Sequence, residues 1–137
     1  MADASPGLRE RPLSPHVQVW RWHVTMAASI FNRVTGVGLY VGWLILAGWA
    51  LALASGPDAY GAYSSVLTSI PGQIVLFGVA VALFFHLAAG VRHLFWDSGK
   101  GFMPRTAGAS AIVAFVFAIV AAIVLFVIAH ISQGSAS

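Results

Sequence analysis

Three side chains stand where a hydrocarbon environment makes them costly, and their types suit chemistry. His86 lies inside VALFFHLAAGV, apolar on both sides, at about 9–15 Å from the polar end of its run at 1.5 Å per residue. An ionisable group at that depth normally faces protein or a water-filled site and marks a function. The residues alone leave two readings open. One is a neutral histidine hydrogen-bonded to a neighbouring helix; the other is an axial haem ligand, since imidazole suits low-spin iron and a bundle core suits a porphyrin. Arg33 sits a few residues inside an earlier apolar run, where a basic side chain costs about 2.5–3.5 kcal/mol at the helix centre. It either snorkels to the interface or faces a site. Ser29, one helical turn earlier, falls on the same face. A hydroxyl and a guanidinium converging there can bind a carbonyl-bearing headgroup.

The haem reading has a geometric corollary. A bis-histidine haem needs its ligands on opposite faces of the ring. His93 follows His86 by seven residues on the same face of the same helix, so the two cannot both ligate one iron. His130 lies towards the far end of the last apolar run, and His16 and His23 precede the first. A six-coordinate haem on His86 therefore requires its second ligand from another chain.

The elements that must position these residues follow from composition. Of 137 residues, 59% are hydrophobic and only 8% charged, and the mean hydropathy is +0.86. A soluble domain carries about 25% charged residues as a polar coat, so this surface faces lipid. Disordered and collagenous chains are excluded by the abundance of Leu, Val, Ile and Phe. The absence of cysteine excludes disulfides, thiolate zinc sites and iron–sulfur clusters held by this chain alone.

Residues 1–26 form a polar arm broken by Pro6, Pro12 and Pro15. Three apolar runs follow, each long enough for a hydrocarbon core of roughly 30 Å. They predict membrane helices over about 27–56, 71–96 and 106–131, within a transmembrane unit of 27–131, with a tail at 132–137. The expected fold is an all-α membrane protein of three transmembrane helices, because lipid leaves backbone amides no partner outside the segment. Gly38 and Gly42, four apart, fit close helix packing, and Trp20, Trp22 and Trp96 fit an interfacial belt.

All seven basic residues (Arg9, Arg11, Arg21, Arg33, Arg92, Lys100 and Arg105) lie in or beside the arm or the link between the second and third spans. By the positive-inside rule this places the N-terminus in the cytoplasm and the C-terminus in the periplasm of a bacterial inner membrane. A signal peptide fits poorly, since the first run is too long and starts too late. No phosphate loop or nucleophile elbow is present, and Asp3, Glu10, Asp58 and Asp97 are too scattered for a carboxylate pair. The basic residues suggest no nucleic-acid surface.

Three stretches together resemble the cytochrome b subunit of succinate dehydrogenase (respiratory complex II), the larger of its two membrane anchors. They are RPLSPHVQVWRW at Arg11–Trp22, SIFNRVTGV at Ser29–Val37 and HLAAGVRHLFWDSGKG at His86–Gly101. The last run agrees only in length and hydrophobicity. The resemblance implies that Ser29 and Arg33 bind the ubiquinone headgroup, and that His86 is the axial ligand of haem b, with the opposite ligand from the second hydrophobic anchor subunit. It also implies a contact of Arg33 with a haem propionate, and a flavoprotein and an iron–sulfur subunit docked on the cytoplasmic face. Electrons from succinate would then reach ubiquinone through this anchor, with the succinate-oxidising site on another subunit. Asn32 departs from the pattern, standing where many members have His. A fumarate reductase anchor and a haem-free anchor are the alternatives.

Overall fold

A computed structural model describes residues 20–134, which contain helices and turns and no strand. The helices are α1 (Val24–Ala54), α2 (Pro57–Thr68), α3 (Ile70–Asp97) and α4 (Pro104–Gly134). α1, α3 and α4 have 31, 28 and 31 residues and are long and apolar enough to cross a membrane. α3 is central, packed against α1 on one side and α4 on the other.

The core is built from small residues. α4 buries Ala111, Ala114, Ala118 and Ala122, a single stripe at helical spacing, and α3 buries Ala80, Ala82, Phe85 and Ala89. Between lipid-exposed helices there is little hydrophobic drive to associate, so close van der Waals approach must supply the attraction, and small side chains allow it. Phe85 is the large exception, only 1% exposed. Its ring centroid lies 4.6 Å from that of Phe115 on α4 and 6.2 Å from that of Phe31 on α1, tying all three long helices together at one level.

The α1–α3 seam is paved with glycine. A Cβ on Gly38 would meet the Cβ of Ala82 at 3.4 Å, and one on Gly42 would meet Val79 Cγ1 at 2.8 Å. Val79 is β-branched and stiff, so it cannot swing aside. Gly42→Leu is expected to lower stability by about 1–3 kcal/mol through overpacking, read as a lower heat-dissociation temperature of the purified protein. Gly61→Leu, where a Cβ would meet open space, is the control and should shift it less.

α2 is a short helix within the stretch that reads as a simple connection between the first two spans. Pro57 opens it and Asp58 sits in its first turn. Its Tyr63 hydroxyl donates to the Ile45 carbonyl at 2.8 Å, pinning it to α1. α3 then starts on Ser69, whose side chain accepts from the Gly72 amide at 3.3 Å.

α3 and α4 are joined by a tight link. Gly99 and Gly101 have φ of 78° and 84°, the left-handed region that favours glycine. Gly99 N–H donates to Trp96 O at 2.8 Å and Lys100 N–H to Phe95 O at 3.2 Å, the paired bonds that terminate a helix at such a glycine. Val24, at the start of α1, lies beside Gly108 of α4. The N-terminus of α1 and the basic link therefore occupy the same end of the bundle.

Candidate functional site

The seam that brings α1 against α3 also sets the level of His86. Going up α1 through Gly36, Gly38 and Gly42, the facing residues on α3 run down through His86, Ala82 and Val79. His86 lies over Gly36, where a Cβ would come 3.6 Å from its ring Cε1. A glycine here lets the imidazole edge rest against the α1 backbone.

At 100° per residue, Ser29 and Arg33 fall within about 60° of Gly36 around α1. They therefore flank the stripe on which the imidazole rests, with Arg33 about 4–5 Å and Ser29 about 10 Å nearer the α1 N-terminus. Both are exposed, and neither side chain makes a hydrogen bond or ion pair among the described residues. His86 is half-buried. Its contacts on α1 are with Gly36 and Thr35, and Ser29 and Arg33 lie on the same helix, about one to two turns nearer its N-terminus.

Thr35 has a place in the site that the sequence did not reveal. It is only 7% exposed, and its Oγ1 lies 3.4 Å from His86 Nδ1. The hydroxyl donates to the Phe31 carbonyl at 2.8 Å, with Asn32 O at 3.1 Å. A threonine has one hydrogen to donate and lone pairs to accept with, so with that hydrogen on Phe31 O the oxygen can accept from Nδ1–H in the tautomer that carries it. That tautomer leaves the lone pair on Nε2, the state an imidazole needs to bind a metal. The available signal was a hydroxyl two residues after Arg33, but its partner is 51 positions away.

Asn32, which departs from the family pattern, lies close by. Its Oδ1 is buried and has no hydrogen-bond partner among the described residues, and it sits on the same flank as Gly36 and Thr35. Buried polar atoms are nearly always satisfied, so this oxygen calls for a donor from outside the described residues.

The remaining histidines are elsewhere. His93 is exposed with its ring 5.3 Å from that of Trp96, His130 is exposed near the end of α4, and His23 precedes α1 without capping it through its side chain. His16 lies outside the described residues. Among the described residues no three of His, Cys, Asp or Glu cluster as a metal site.

Arg92 braces the neighbouring end of the bundle. Its Nε donates to Ser110 Oγ at 2.9 Å and one terminal nitrogen donates to Ala107 O at 3.0 Å. Its guanidinium carbon lies 4.0 Å from the Trp96 ring centroid. Trp96 in turn donates from Nε1 to Gly101 O at 3.2 Å. An aromatic expected only as part of an interfacial belt thus fastens the α3–α4 link.

Three apolar helices long enough to span a bilayer, with no strand among the described residues, define an all-α membrane protein. The chain belongs to the succinate dehydrogenase/fumarate reductase transmembrane subunit family, whose model matches residues 7–125. Among its relatives is the succinate dehydrogenase cytochrome b556 subunit of Paracoccus denitrificans, 43% identical over 101 residues, covering 74% of this chain and 76% of the relative. The subunit of that name from Rickettsia felis is 39% identical over 93 residues, 68% of this chain and 72% of the relative. The mitochondrial cytochrome b560 subunit of Sus scrofa is 39% identical over 93 residues, 66% of this chain and 55% of its own length.

Proposed function

We propose that this chain is the haem b- and ubiquinone-binding anchor of a succinate:quinone oxidoreductase, with its basic end in the cytoplasm. The observation that carries the reading is the His86–Thr35 contact, because it prepares a single imidazole as a ligand on a seam whose other facing residues include Gly38, Gly42, Ala82 and Val79. The residues fit a haem held between two chains: one histidine, a glycine floor at Gly36, and, among the described residues, an unpartnered buried Asn32 Oδ1 and an unpaired guanidinium on Arg33. His86 would hold the iron from this chain, and the other ligand would come from the second hydrophobic anchor subunit. When bound, the haem supplies a one-electron carrier beside the quinone.

Ser29 and Arg33 hold the ubiquinone headgroup on the same end. Their donors stand on a helix rather than a loop, and both are uncommitted among the described residues. Such preorganised donors stabilise the negative charge that develops on the quinone oxygens as they are reduced. Arg33, about one turn from Gly36 on α1, would also be available to a haem propionate through its second set of N–H groups. Electrons arrive from the iron–sulfur subunit, docked with the flavoprotein subunit on the cytoplasmic face. The chain itself carries out none of the succinate chemistry.

The test is spectroscopic. The complex purified in mild detergent should show a low-spin haem b spectrum; full stoichiometric assembly without one would sink the role of His86. Thr35→Val keeps the shape and removes the acceptor for Nδ1–H, and should weaken haem retention about 10–100-fold, as loss of ligand-orienting partners does. Thr35→Ser should restore both haem content and the reduction midpoint. If valine and serine behave alike, the hydroxyl does not orient the ligand.

A further inference from the structure

A second feature lies on the α3–α4 side of the bundle, away from the α1–α3 seam. It is a trough of about 730 Å³ between α3 and α4. Its lower wall is apolar, formed by Leu87, Val91, Val113 and Phe117. Its upper end holds Arg92, Lys100 and Thr106, at the level of the link.

The charge at that end is unbalanced. Arg92 is positively charged, and its partners, a hydroxyl, a carbonyl and an indole face, are all neutral. The Lys100 ammonium and the Thr106 hydroxyl have no partner among the described residues. No carboxylate lines the trough. Two cations therefore face one opening with no anion to meet them.

The length of the trough matches a definite kind of occupant. From Thr106 to Phe117 the helix rises about 16 Å, close to half of a hydrocarbon core of roughly 30 Å. The polar end thus sits at headgroup level, and the apolar wall runs to about the depth of one leaflet. Basic pockets between membrane helices are recognised by anionic head groups.

We infer that this trough binds an anionic phospholipid of the leaflet on the side of the α3–α4 link. Its phosphate meets Lys100, Thr106 and the unused N–H groups of Arg92, and one acyl chain lies along Val91, Val113 and Phe117. A zwitterionic lipid brings its own cation to the same place and gains less. An uncharged isoprenoid tail leaves both cations unanswered.

The test uses the whole purified complex, reconstituted into vesicles of phosphatidylcholine and phosphatidylglycerol, re-extracted in mild detergent and assayed for lipid per complex. The native complex should hold phosphatidylglycerol above its share in the vesicle. Lys100→Glu should reduce that retention about fivefold or more, from roughly fivefold per basic contact, and leave phosphatidylcholine unchanged. Lys100→Gln, which only removes the charge, should give a smaller loss of the same sign. Val113→Trp, which fills the trough, should reduce retention of both lipids. Equal phosphatidylglycerol retention in all four proteins would overturn the inference. So would a photo-crosslinker at Val91 that captures a protein chain or quinone in place of lipid. The result is independent of the haem spectrum, so either proposal can fail without the other.

Discussion

Replacing His86 by alanine should yield a complex that assembles with all its subunits and has lost the low-spin haem b spectrum. The expectation rests on where the ring sits. It lies over Gly36 and against Thr35, one position beyond Phe85, which carries the contacts that hold the three long helices together. Truncating the half-buried imidazole leaves that aromatic junction and the Ala82–Gly38 contact untouched. The stability cost should stay within the usual range of about 0.5–3 kcal/mol for a point substitution. A packing role and a ligand role then separate cleanly. Added imidazole should restore the spectrum in the alanine variant if the ring is a ligand, since the space it vacates opens towards the Thr35 hydroxyl. Wild-type haem content in His86→Ala would refute the ligand role, as would its loss only in step with subunit dissociation.

Arg33→Ala should have the second large effect, on a different readout. Removing one preorganised donor to a developing oxyanion typically costs about 10²–10³ in rate, and a fall of that order is expected in ubiquinone reduction by succinate. Transfer from succinate to a water-soluble artificial acceptor should be spared, because that path ends before the membrane anchor. Arg33 has no partner among the described residues and is exposed, so its loss should leave the fold intact. Arg33→Lys keeps the charge and loses the two-pronged geometry; an intermediate rate is expected. Equal loss of both activities would point to failed assembly, and unchanged ubiquinone reduction would remove Arg33 from the quinone site.

Parts of this protein can be read without tertiary information because their physics is local. The cost of placing a side chain in hydrocarbon is counted residue by residue, so three charge-free runs suffice to predict α1, α3 and α4. Their ends differ by a few residues: α1 begins at Val24 and α4 at Pro104, against expected starts near 27 and 106. The pairing of Ser29 with Arg33 is equally local, one turn apart on a single helix. The cost of burying His86 marks it from its neighbours alone. The helix α2 was not legible in the same way. Its 12 residues are too few and too mixed to form a stable helix alone, and the bond from Tyr63 to the Ile45 carbonyl that holds it comes from α1.

Sequence alone was therefore sufficient for the number of spans, the gathering of basic charge about the arm and the second link, and the identity of three chemically unusual side chains. The fold decided the level at which they stand. His86 rests on Gly36 because glycines at 36, 38 and 42 let α1 settle against α3 in one register, and no local pattern specifies the level at which two helices stop sliding. The same register brings Thr35 to the imidazole and leaves the Asn32 oxygen without a partner among the described residues. On the other side, the packing of α3 on α4 leaves a trough whose two cations have no acid to face among the described residues. These are consequences of close packing between helices, where shape complementarity summed over many weak contacts chooses one arrangement among several that the apolar runs would equally allow.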